Sequence, residues 1–146
     1  MMKDYTNYKK RDSMKNLLIF IFLLFSTQLF SQQWIDDSNF NTKIHANDAF
    51  GDDETIITIV EFWVEFNKAN AFTDWDKLEG VEYFRVDIQK APQAKKDYRV
   101  RMAPTIIIFK NGTKEDSFKA SLDLECPVNL NELREAIEEV KRADKF

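Results

Sequence analysis

The sequence predicts an α/β sandwich around a mixed sheet, and three observations carry that expectation. The run Ile56-Ile57-Thr58-Ile59-Val60-Glu61-Phe62-Trp63-Val64 is β-branched and aromatic with a single acid in it, the pattern of a central strand covered on both faces. Strand-like runs then alternate with segments of helical spacing. Finally, Asn111-Gly112 is a strong hairpin signal, and an amphipathic helix follows it. The order read from residue 56 onward is β-α-β-α-β-β-α.

Each element has its own justification. Residues 34–50 are mixed, with Asp36-Asp37-Ser38 as a possible helix cap. Residues 67–78 read as a helix, because Phe72, Trp75 and Leu78 fall at three-residue spacing and Gly80 ends the segment. Val81-Glu82-Tyr83-Phe84-Arg85-Val86-Asp87 alternates as a second strand. Residues 91–98 read as a short helix with Pro92 in its first turn, where a missing N–H costs nothing. Thr105-Ile106-Ile107-Ile108-Phe109 is a third strand, and Ser117-Phe118-Lys119-Ala120 returns from the hairpin. Leu130, Leu133, Ile137 and Val140 form the apolar stripe of a last helix, capped at Asn129 or Asn131.

Residues 1–31 read as a segment apart from this fold. Lys3, Lys9, Lys10, Arg11 and Lys15 make a basic front, Leu17 to Phe25 is unbroken apolar chain, and a polar exit follows. That is the pattern of a secretory signal peptide, with cleavage after Ser31 and translation from Met1 or Met14. The apolar run is short for a membrane span, which needs about 20 residues. A tether formed by residues 17–30 is the alternative. The expected organisation is therefore a signal segment, 1–31, and one domain, 32–146, exported to the periplasm or beyond the cell.

Composition bounds the function. The 146 residues are 44% hydrophobic and 32% charged, with three Gly and three Pro, which is globular composition. Formal charge is −4. Taking the five Lys/Arg and two Asp/Glu of residues 1–31 from the 21 and 25 of the whole chain leaves 16 and 23, net −7. Such a surface argues against nucleic acid as a partner. One His and one Cys exclude zinc fingers and cysteine-ligated clusters, and an internal disulfide is impossible. Asp52-Asp53-Glu54 and Asp74-Trp75-Asp76 lack calcium-loop spacing and read as solvated. No metal and no cofactor is expected. His45 stands alone and reads as a surface or half-buried residue.

Two segments together carry a resemblance. Val60-Glu61-Phe62-Trp63-Val64-Glu65-Phe66 is similar to the strand that enters the active-site turn of the thioredoxin family. Arg101-Met102-Ala103-Pro104-Thr105-Ile106-Ile107-Ile108-Phe109-Lys110-Asn111-Gly112 is similar to that family's cis-proline strand and hairpin. The resemblance covers about residues 34–146. It implies a three-layer thioredoxin-like sandwich, a cis bond before Pro104, and a turn at Asn67-Lys68-Ala69-Asn70 where the family places Cys-x-x-Cys. Both cysteine positions carry Asn. Disulfide exchange needs an attacking thiolate and a resolving thiol, and an amide supplies neither. The segment after the turn also looks about two helical turns shorter than the family's.

What remains is a frame with binding potential. Asn67 is expected to cap the following helix through its side-chain oxygen. The resemblance places Glu61 beneath the turn, where the family's acid helps move protons. Here Glu61 is a relic of that role, a partner for a lysine such as Lys68, or a residue of the sheet rim. The resemblance also implies that Ala103, before Pro104, can pair with an extended peptide by strand addition, with Phe66 and Met102 flanking the groove. Trp63 is expected in the core. Cys126 reads as buried and inert, its thiolate disfavoured by Glu125, with a disulfide-linked dimer and a single-thiol site as alternatives. The function expected is a secreted protein- or peptide-binding or scaffolding module without dithiol chemistry. The alternative is a single-thiol oxidoreductase using Cys126.

Overall fold

The computed structural model describes residues 32–45 and 55–143. The expected signal segment 1–31, the acidic loop Asp52-Asp53-Glu54 and Phe50 lie outside these residues. Five strands form one sheet in the order β1-β3-β2-β4-β5. They are β1 (Gln33–Ile35), β2 (Ile57–Trp63), β3 (Glu82–Asp87), β4 (Thr105–Lys110) and β5 (Thr113–Lys119). Strands β1, β3 and β2 run parallel, and β4 and β5 are antiparallel to their neighbours. The mixed sheet and the α/β sandwich agree with the sequence reading.

Side chains alternate across the sheet and build two cores. Val60, Phe62, Phe84, Val86, Ile107 and Phe109 meet α1 (Phe40–Ile44) and α2 (Pro92–Asp97) on one face. Ile57, Ile59, Ile106 and Ile108 meet Phe72 and α3 (Leu130–Arg142) on the other. Every residue of β2 and β4 is buried, as a strand covered on both faces requires. Strand β5 is an exposed edge, and Lys114, Glu115, Asp116 and Lys119 line it, a composition that discourages edge-to-edge pairing. At the hairpin tip Asn111 and Gly112 have φ of 46° and 78°, the positive pair that a type I′ turn demands.

The helix ends are fixed by side chains. Asn129 accepts the Glu132 N–H at 3.0 Å while Glu132 accepts the Asn129 N–H at 2.9 Å, a capping box. At the other end of α3, the buried Lys110 ammonium donates to the Val140 carbonyl at 2.7 Å. Asp37 caps α2, a remote helix, by accepting the N–H groups of Gln93 and Ala94, both at 2.8 Å. The expectation that Asp36-Asp37-Ser38 caps the helix following it is therefore corrected. Asn39 occupies that cap position, without a side-chain bond to the helix.

One expected helix is absent. Where a helix over residues 67–78 is expected, two short 3-10 turns, Glu65–Asn70 and Trp75–Lys77, flank an irregular segment. Asn67 already departs from helical geometry, at φ −115° and ψ 22°. Downstream, both backbone groups of Phe72 are taken by side chains of the sheet, which removes them from any helical ladder. The three-residue spacing of Phe72, Trp75 and Leu78 nevertheless places all of them on the same core.

Candidate functional site

The C-terminal end of β2 delivers the turn 65–70 to the cis-proline segment. The Ala103–Pro104 bond is cis, as the resemblance implies. An asparagine side chain offers two N–H donors and one carbonyl oxygen. Asn67 commits all of these within the chain. Its Nδ2 donates to the Ala103 carbonyl at 2.9 Å and to the Leu124 carbonyl at 2.8 Å. Its Oδ1 accepts from Asn70 Nδ2 at 2.8 Å. The expected N-cap is thus corrected: the oxygen meets a side-chain amide, and no side chain caps the turn. The amide pair ties positions 67 and 70 together without a covalent bond.

Beneath the turn lies Glu61, fully buried. Its Oε1 accepts the Phe72 N–H at 3.0 Å. Its Oε2 accepts from Tyr83 Oη at 2.5 Å, Arg85 Nε at 2.9 Å and Arg85 Nη2 at 2.7 Å. Arg85 also donates to the Phe72 carbonyl at 3.1 Å and to Gln32 Oε1 at 3.0 Å. The ion pair therefore grips one residue of the irregular segment by its N–H and its C=O together. Neither a lysine partner nor a rim position holds for Glu61. Lys68 instead pairs with Glu65 at 2.7 Å on the surface, and that bond raises its pKa. Tyr83 is half-buried overall, but its hydroxyl faces Glu61 in the interior. Burial first, and the Glu61 charge second, push its pKa well above the ordinary tyrosine value.

The rim is apolar. Phe66 is 78% exposed and Leu122 is 90% exposed. Met102 is half-buried, while Ala103 and Pro104 are buried. Ala69 is exposed and carries no polar side-chain atom. Trp63 is in the core, edge-on to the half-exposed Trp34 at 5.0 Å between centroids. Arg85 lies over Trp34, 5.7 Å from its ring centroid, which shields one side of the ion pair. Asp74 pairs with Lys77 at 2.6 Å. His45 is exposed and lies against Gly112 at the hairpin tip.

Cys126 is half-buried at the edge of the α3 core, its Sγ 3.4 Å from the Val128 carbonyl. Burial pushes its thiol above the ordinary value and the Glu61 charge adds to the rise, against a hydrogen bond that the Val128 backbone donates to the sulfur. Burial and the Glu61 charge both favour the protonated, unreactive form.

The family model for thioredoxin matches residues 32–126. The chain belongs to the thioredoxin family. A curated relative, thioredoxin-2 of Pyricularia oryzae, is 35% identical over 49 residues, which span 33% of this chain and 29% of that protein. Among solved structures, the Malassezia sympodialis thioredoxin is 21% identical with a TM-score of 0.54, covering 75% of this chain and 90% of that one. Chlamydomonas reinhardtii thioredoxin f2 is 12% identical with a TM-score of 0.55, covering 76% and 97%. At these identities the structural likeness is one of fold.

Within that thioredoxin-like frame, three participants were not singled out from the sequence as site residues. Arg85 and Tyr83 carry a legible signal: Arg85 stands opposite Glu61 in the β2–β3 register, and Tyr83 is on the same face. An acid and a base at matching positions of neighbouring strands predict a pair once the strand register is known. Leu124 carries none, since its contribution is a backbone carbonyl.

Proposed function

We propose that this thioredoxin-fold protein is a holding or scaffolding module without dithiol chemistry, exported through its basic-then-apolar leading segment. The observation that carries the reading is the saturation of Asn67. A side chain that gives both its donors and one lone pair of its oxygen to its own chain has no proton to offer at the turn, and it has no useful pKa near neutrality. Glu61 supports the same reading, because Arg85, Tyr83 and the Phe72 N–H already occupy its carboxylate. The surface left for a protein or peptide partner is Phe66 with Met102, beside Ala103 and Pro104. Exposed aromatic and Met side chains favour such contacts. Asn67 uses one lone pair of the Ala103 carbonyl, so strand addition there has to share that acceptor.

The insulin-reduction assay with dithiothreitol tests the loss of chemistry. The expected result is no acceleration above dithiothreitol alone. Turnover that vanishes in Cys126→Ser overturns the reading and establishes a single-thiol oxidoreductase instead. Binding on a peptide array that disappears in Phe66→Ala supports the holding role. Mass spectrometry of non-reduced protein tests the Cys126-linked dimer.

A further inference from the structure

We propose that the Asn67 side chain is a latch that fastens the 121–128 loop over the edge of the α3 core and so sets the exposure of the chain's single thiol. The loop has few other holds. At its entrance the Ala120 N–H donates to the Pro104 carbonyl at 3.1 Å, and at its exit Val128 is buried. Between these ends, Asp123 binds the Ser121 hydroxyl at 2.8 Å and the Glu125 N–H at 3.0 Å, and Leu124 N–H reaches Ser121 O at 3.1 Å. All of these bonds stay inside the loop and shape it without attaching it. Leu122 is 90% exposed and adds no anchoring.

The one side-chain bond from the turn to the middle of the loop is Asn67 Nδ2 to the Leu124 carbonyl, 2.8 Å. Leu124 itself is held at φ 59°, a left-handed backbone that a branched side chain rarely adopts. Strained backbone persists where its surroundings over-determine it. Here the surroundings are the Asn67 amide, braced from behind by Asn70 and fixed in direction by its second bond to Ala103. Two residues beyond Leu124, Cys126 packs half-buried against the α3 core. Releasing the latch frees the loop's middle, relaxes Leu124 and uncovers the thiol while the sheet stays folded, a local opening of the kind that weakly held loops undergo. This device does not depend on the holding role proposed above.

Cys126 is the only cysteine, so it reports on the loop unambiguously. The experiment is the rate of native-state alkylation by N-ethylmaleimide at pH 7. In Asn67→Asp both donors are gone and a carboxylate faces two carbonyl oxygens; in Asn67→Ala all three bonds are gone. Each is expected to raise the rate about 3- to 12-fold, the effect of losing the one Asn67–Leu124 hydrogen bond on an opening equilibrium. Asp37→Ala, which uncaps α2 on the opposite face, is the control for general destabilisation, and its rate is expected within about twofold of the parent. An unchanged rate in both Asn67 variants overturns the proposal. So does an equal rise in Asp37→Ala. If neither Asn67 variant folds, Asn70→Ala removes only the brace: a rise of a few-fold supports the latch and no rise refutes it.

Discussion

Replacing Arg85 with Met isolates the buried ion pair. The side chain of Glu61 is 0% exposed and that of Arg85 is 11% exposed, so the substitution strands a carboxylate in the interior. It also removes the Arg85 bond to the Phe72 carbonyl. Removing one partner of a buried pair costs about 3–5 kcal/mol, because the survivor's charge is left uncompensated. A domain of this size has a total stability of about 5–15 kcal/mol, so the loss is a large share of it. Urea unfolding followed by tryptophan fluorescence reads the effect, since Trp34 and Trp63 stand beside the pair. With an m-value of about 1.5 kcal/mol/M, the midpoint is expected to drop by about 2–3 M. Glu61→Gln keeps an acceptor for the Phe72 N–H and loses the charge-assisted bonds, so its cost is expected to be smaller, about 1.5–3 kcal/mol. A drop below about 0.5 M in Arg85→Met refutes the clamp as a stabilising element and returns the 71–74 segment to packing alone.

Three further outcomes follow from the same structure. The neutral Tyr83 phenol is favoured in the fold, so the stability it contributes is present below the unfolded tyrosine pKa of about 10 and is lost as pH rises from there through the higher folded value; urea midpoints measured from about pH 9 to 11, across which the unfolded phenol ionises, are expected to fall less steeply in Tyr83→Phe than in the parent. Asn129→Ala breaks the capping box and is expected to cost about 1 kcal/mol by thermal or urea unfolding. Gly112→Ala places a Cβ 2.1 Å from the His45 ring at a φ of 78°, and a loss above about 1 kcal/mol is expected, measured the same way.

Strands β2 and β4 and helix α3 are legible because their signals are periodic, whereas the three-residue β1 lies in a segment of mixed pattern. Ile57 to Trp63 and Thr105 to Lys110 bury every side chain, and Leu130, Leu133, Ile137 and Val140 mark one helix face, so hydrophobic pattern alone locates them. The pattern over 67–78 does not separate helix from irregular chain, because Phe72, Trp75 and Leu78 keep their spacing in either conformation. What decides is the long-range grip of Glu61 and Arg85 on Phe72, at sequence separations of 11 and 13. For Asn67 the sequence suggests the wrong partner. An asparagine at the start of a turn suggests a local cap, but the carbonyls that Asn67 meets belong to residues 36 and 57 positions away. Backbone groups brought close by topology leave no trace in residue types.

Two side chains at the centre of the site, Asn67 and Glu61, have polar groups engaged by intramolecular partners. Glu61 therefore acts on stability and Asn67 on the closure of the 121–128 loop, and substitutions there are expected to alter binding only together with those changes. Phe66 is the opposite case. At 78% exposure it contributes little to the core, and Phe66→Ala is expected to change unfolding free energy by no more than about 0.5 kcal/mol. On the holding role, the same substitution removes a rim anchor and weakens partner binding. The separation is the informative measurement. Binding that survives Phe66→Ala but tracks the unfolding free energy across Glu61, Arg85 and Asn67 variants places the contact surface elsewhere on the fold. Binding lost in Phe66→Ala at unchanged stability locates it at the turn.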